Sequence, residues 1–208
     1  MQMEQQTSDK LKEIKRSFRL YMNGMTAASM RKKGVDYHLN WGVSAMDLQR
    51  MANNIGKDDK LALELWKENI RECKILAAMI MPPEKMLPEI VDVWLEQDLP
   101  QELAETLTFY LFQHLDFAPV LAYQWMAADR EFLRLCGFLL ISRLFANKMT
   151  PDERGINEYL DQVQAALSDP SAVVRNNAAK SIHWFAELGE EYKYMAKKAL
   201  SNSPVDVM

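Results

Sequence analysis

Apolar residues recur along this chain at three- and four-residue spacing, the period of helices with one buried face. Leu11, Ile14, Phe18 and Met22 form the first stripe, with Thr7-Ser8-Asp9 placed to cap it and Asn23-Gly24 to close it. Thr26 to Lys33 reads as a short helix ending at Gly34. A loop from Val35 to Val43 follows, carrying Tyr37, His38 and Trp41. Ser44, with Asp47 three residues on, is a near capping box, and Gly56 ends that helix. Asp58 starts the next, which carries Leu61, Leu65 and Trp66.

The stretch Leu65–Met81 organises the rest. It begins amphipathic, with Trp66, Ile70 and Cys73 at helical spacing among Lys67, Glu68, Arg71 and Glu72. From Ile75 to Met81 every residue is apolar. The pattern predicts a helix that starts at the surface and ends in the core, stopped by Pro82-Pro83. Its boundary with the helix before it is left open.

Further helical patterns span Glu84–Gln97, Gln101–His114 and Phe117–Met126, then a long run opening at Asp129. Thr150 is the expected N-cap of the next, with Pro151 at its first position. Ser168-Asp169-Pro170 marks a turn, and two more helices end near Gly189 and Leu200. That is about a dozen helices with short connections and no convincing strand. Such a series predicts an all-α fold, an α-solenoid of HEAT-like antiparallel helix pairs. The segment D-P-S-x-x-V-R-x-x-A-A at 169–179 is its best repeat-like unit. An ordinary helical bundle is the competing architecture. The expected organisation is one domain over residues 1–208, with 1–9 and 202–208 as loose ends.

Composition narrows the class. Only 7 Gly and 8 Pro among 208 residues suit helices better than sheets. Cys73 and Cys136 sit in apolar runs without CxxC spacing, which points to buried reduced thiols in a cytoplasmic protein rather than a disulfide or metal site. The polar start is no signal peptide, and the apolar runs fall short of the roughly 20 residues a membrane span needs. Net charge is −4 but uneven. Residues 1–35 hold eight basic side chains against three acidic; residues 84–131 hold ten acidic against two basic. A locally positive face is compatible with that asymmetry.

Phosphate-loop, dinucleotide, zinc-protease and serine-hydrolase signatures are absent. His38, His114 and His183 are scattered, so Ser-His-Asp catalysis has no support. What remains is aromatic residues beside charges. Trp184 follows Lys180 by one turn, with Arg175 further back on the same expected helix. An indole face there can hold a cation or stack on a nucleobase, or it can be core. Glu102 and Glu105 lie at i and i+3 near a helix start, where the helix dipole favours carboxylates. One of them could instead stabilise positive charge developing on a substrate.

Together these segments resemble the DNA alkylation repair family of HEAT-like repeat proteins, the AlkD-type alkylpurine DNA glycosylases. Leu65-Trp66, Arg71-Glu72 and Ala77 resemble the family's LW…RE run. Lys180-Ser181-Ile182-His183-Trp184 resembles its K-A-I-G-W segment, and Tyr21-Met22-Asn23 followed by Trp41-Gly42-Val43 its YM…GI region. The likeness covers roughly residues 10–200. It implies a double-stranded DNA partner gripped through phosphates, cationic N3- or N7-alkylpurine substrates, and no cofactor, metal or membrane. A monomer is expected.

The site implied by the resemblance is altered. Pro100-Gln101-Glu102-Leu103-Ala104-Glu105 stands where the family has W-W-D-x-x-D, so both tryptophans are lost and Glu105 replaces the key aspartate. Phe132-Leu133-Arg134-Leu135 stands on W-L-R-R, leaving one arginine. If the chain is catalytic, the resemblance makes Glu105 the stabiliser of the oxocarbenium-like sugar and Trp184 the holder of the lesion nucleotide. Tyr21, Lys32, Lys33, Arg134, Arg175 and Lys180 are the implied DNA contacts. The alternatives are a non-catalytic binder of unusual DNA structures and a protein-interaction scaffold that has lost DNA.

Overall fold

The computed structural model describes residues 2–97 and 99–201. Every regular element among them is a helix; the one β-type pairing is an isolated parallel bridge between Leu39 and Ile70. The chain divides into two compact units, residues 1–111 and 112–208.

The first unit contains α1 (Gln2–Tyr21), α2 (Gly24–Lys32), α3 (Ala45–Ile55), α4 (Asp59–Lys67), α5 (Arg71–Ile80), a 3-10 turn (Pro83–Lys85), α6 (Pro88–Leu95) and α7 (Gln101–Tyr110). Local side-chain chemistry sets most of the starts. Asn23, Ser44 and Asp58 each accept a backbone N–H of the first turn that follows them. Helix α1 differs from expectation: it begins at Gln2, so Thr7-Ser8-Asp9 lies within it. The expected loose end at 202–208 lies outside the described residues.

The boundary left open within Leu65–Met81 falls at residues 68–70. Helix α4 ends at Lys67, and Glu68 and Ile70 are extended. The Arg71 amide donates to the Leu39 carbonyl at 3.0 Å, so a distant segment supplies the partner that a continuous helix would have provided. The polar start of α5 is also not at the surface. All ten of its residues are buried, Arg71, Glu72 and Lys74 included. It packs against α3, α4 and α7. Lys74 reaches the Trp66 carbonyl and the Gln97 side chain at 2.9 and 2.7 Å. Its ammonium lies 4.5 Å from the centre of the Trp66 ring, which stacks on Trp94 at 4.1 Å. Burial holds the Lys74 pKa below its ordinary 10.5. Burial also pushes the Cys73 thiol up to about 12, which makes it an inert packing residue.

The second unit contains a 3-10 turn (Phe112–His114), α8 (Ala118–Met126), α9 (Glu131–Ala146), α10 (Glu153–Ala166), α11 (Ala172–Ala186) and α12 (Glu190–Ala199). Helix α9 packs on α8 and α11, and α11 on α10 and α12. Gly137 lets α8 and α9 approach closely: a Cβ there would stand 2.5 Å from the Met126 amide nitrogen. Phe145, Tyr159 and Phe185 form the aromatic centre of this unit, ring centroids 4.8–5.4 Å apart. The cap of α10 is Asp152, whose carboxylate accepts the Gly155 amide at 2.8 Å, and not Thr150. A carboxylate two residues later is the better acceptor for the dipole's positive end.

Candidate nucleic-acid interface

In the first unit, the two glutamates that open α7 have different surroundings. Glu102 receives the Arg71 guanidinium through Nε at 2.9 Å and through Nη2, and the Tyr37 hydroxyl at 2.7 Å. Arg71 also donates through Nη1 to the Val43 carbonyl at 3.0 Å and to Glu72 at 3.2 Å. Glu72 is fully buried and accepts the Trp41 and Val43 amides, both at 3.2 Å. Burial works against the charged guanidinium, but Glu102 and then Glu72 outweigh it and hold the Arg71 pKa above its ordinary value. Burial, then Glu102, raises the Tyr37 phenol. This cluster ties α5, α7 and the 37–43 loop together.

Glu105 is exposed and accepts from the Gln101 side-chain amide at 2.9 Å. One turn later on the same face stands Phe109, 47% exposed. Tyr21, the last residue of α1, is 40% exposed. Lys32 and Lys33 are exposed at the end of α2.

In the second unit, Arg134 and Arg175 are each the fourth residue of their helices, α9 and α11. Each turns back on the loop before its own helix. Arg134 Nη1 donates to the Ala128 and Asp129 carbonyls, and Arg175 Nη1 to those of Asp169 and Pro170. Arg134 also bonds Asp169, with Nε to Oδ2 at 2.7 Å. Burial opposes the Asp169 anion, but Arg134, the Ser171 amide and Arg175 together hold its pKa below 3.8. Equivalent positions in successive helix pairs thus carry the same fixture. Lys180 and Trp184, one turn apart on α11, are both exposed, Trp184 to 40%. Trp184 is therefore not core.

A family model for the "DNA alkylation repair enzyme" matches residues 14–202. The chain belongs to the DNA alkylation repair family. No curated protein matches it in sequence. Among solved structures, one described as from "a new family of proteins related to the HEAT-like repeat DNA glycosylases with affinity for branched DNA structures" superposes with a TM-score of 0.79. It is 18% identical, over 91% of this chain and 83% of the other. The fold is thus a HEAT-like α-solenoid.

Set on that family, the structure sorts the sequence-derived residues into three kinds. Lys180 with Trp184 is one exposed pair on a single helix face. Arg134 and Arg175 gather round Asp169, and all three nitrogens of Arg134 are committed, to Asp169 and to the Ala128 and Asp129 carbonyls. Glu105, Tyr21, Lys32 and Lys33 are exposed within the first unit. Sequence reasoning passed over Arg71 with Glu102 as a pair, and Phe109. The pair is 31 residues apart and unreadable locally. The i+4 spacing of Phe109 from Glu105 was a usable signal. Among the described residues, no group of three or more His, Cys, Asp or Glu is placed to hold a metal ion. No described helix is long and apolar enough to cross a membrane.

Proposed function

We propose that this member of the alkylation repair family binds DNA through its phosphate backbone and recognises unusual DNA structure rather than sequence. The observation that carries the reading is the exposed Trp184 one turn from Lys180. A 40% exposed indole serves packing poorly, but it offers a stacking face beside a cation. Lys180, Lys32 and Lys33 are the phosphate contacts in this reading, and Tyr21 a sugar or phosphate contact. Arg134 and Arg175 shape the turns that precede α9 and α11, with Arg175 keeping donors for a phosphate. The structural neighbour's affinity for branched DNA supports the same class of ligand.

A second reading, excision of N3- or N7-alkylated purines, is favoured by the family's description as enzymes and by the open carboxylate of Glu105. Glycosidic cleavage develops positive charge on the sugar, which a carboxylate stabilises in the transition state. Phe109, on the same face, would supply the aromatic wall that Pro100 and Gln101 cannot.

The test is titration of the full chain against labelled duplex and four-way-junction DNA over a range of salt. The reading expects tighter binding to the junction and steep weakening with salt. Trp184→Ala and Lys180→Glu should each weaken junction binding about tenfold. Absent or salt-insensitive binding overturns it. For excision, base release from DNA carrying 7-methylguanine is measured beside Glu105→Gln. Release above background that the variant loses supports the second reading; none removes it.

A further inference from the structure

The first unit carries a basic groove that none of the sequence-derived DNA contacts touches. Lys12, Lys15, Arg16 and Arg19 fall at i, i+3, i+4 and i+7 of α1, so one face of that helix is cationic. Opposite stand Trp41 and the apolar side chains of Leu39 and Ile70, around a cavity of about 300 Å³. No acidic residue lines it. Lys15 is offset by Glu68 at 2.7 Å, and Lys12 by Asp9 at 3.3 Å in solvent. Among the described residues Arg16 has no partner, and Arg19 only the Trp41 ring, its Cζ 5.9 Å from the centroid. In a chain of net charge −4, that is a local excess of positive charge.

Two features argue for a ligand rather than for solvated surface. The cations span about 10 Å of helix, enough to meet successive phosphates of one strand. The opposite wall is aromatic and apolar, which phosphate alone does not need and a nucleobase does. The loop is also held rigidly. Trp41 accepts the Asn23 amide at 2.9 Å through its carbonyl and donates its own amide to Glu72. Gly42 beside it has a φ of +70°, and a Cβ there would stand 2.1 Å from the Asn23 carbonyl oxygen. A rigid indole facing cations is a suitable stacking platform.

We propose that this groove holds an unpaired stretch of a DNA strand, its phosphates on Lys12, Arg16 and Arg19 and one base against Trp41. The inference rests on the DNA-binding reading and deepens it. Paired bases present no free face, so the groove would select DNA with unpaired nucleotides, as at a fork or flap.

The experiment titrates the full chain with a labelled ten-nucleotide single strand, a plain duplex and a forked duplex. The single strand and the fork should bind more tightly than the duplex. The double variant Arg16→Glu/Arg19→Glu should lose at least tenfold on both, and its salt slope on the single strand should fall by about 1.4, for two phosphates. Trp41→Leu should lose about tenfold on the single strand with the salt slope unchanged. The double variant alters only exposed side chains, so it keeps the test valid should Trp41→Leu unfold. If the wild type binds duplex and single strand equally, or the double variant binds the single strand like the wild type, the groove is excluded and the DNA-binding reading survives. If the wild type binds no DNA, both fall.

Discussion

Helix α5 buries every side chain it has, charged ones included, whereas α11 leaves Lys180 and Trp184 in solvent. Both carry an arginine in their first turn, Arg71 in α5 and Arg175 in α11. In α5 that arginine is walled in and engaged at all three nitrogens by Glu102, Glu72 and the Val43 carbonyl. In α11 Arg175 is half-buried and occupied on one nitrogen. A buried charge survives only when its partners replace the lost water. Its presence therefore reports architecture. An exposed aromatic beside a cation is under no such constraint and is free to serve a ligand.

The sharpest way to break this comparison is to remove the buried charge. Arg71→Met leaves Glu72 buried without its cation and should destabilise the chain by about 3–5 kcal/mol in urea unfolding. A loss below 1 kcal/mol would mean that the cluster is not structural. Next comes the fixture of the second unit. Asp169→Ala takes the anion from Arg134 Nε and Nη2 and should remove about 1.5–3 kcal/mol. Because its folded pKa lies below 3.8, the Asp169 contribution is complete above that value and disappears as pH falls through and below it. Asp169→Asn should flatten that part of the acid-unfolding curve. Ser171→Ala removes the cap of α11, whose hydroxyl accepts the Val174 amide, and should remove about 1 kcal/mol. Smallest of all, Trp184→Ala should change stability by no more than about 0.5 kcal/mol while weakening DNA binding. A large stability loss from that variant would return Trp184 to the core and take away the main support for the DNA reading.

The sequence was most readable where structure is local. Ser44 and Asp58 cap as their spacing implies, because the donor they satisfy lies three residues away. The boundary at 68–70 could not be placed from sequence because Glu68-Asn69-Ile70 contains neither Gly nor Pro; the Arg71 amide is taken there by the Leu39 carbonyl, far back in the chain. The identity of the structural carboxylate was hidden for the same reason. Glu102 and Glu105 look alike in sequence, and only Tyr37 and Arg71, 65 and 31 residues away, distinguish them. Thr150 misled because threonine before proline is a good cap in isolation, while Asp152 satisfies the amide better.

Lys74 gives the first unit a built-in optical reporter. Its ammonium sits against an indole that is stacked on a second indole, so its proton sets the electric field felt by that chromophore pair. Raising the pH toward 10.5 should remove the proton before an ordinary lysine loses its own, and tryptophan emission should shift at that point without unfolding. Lys74→Met would abolish the step, leaving a label-free gauge of whether this interior is intact in any other variant.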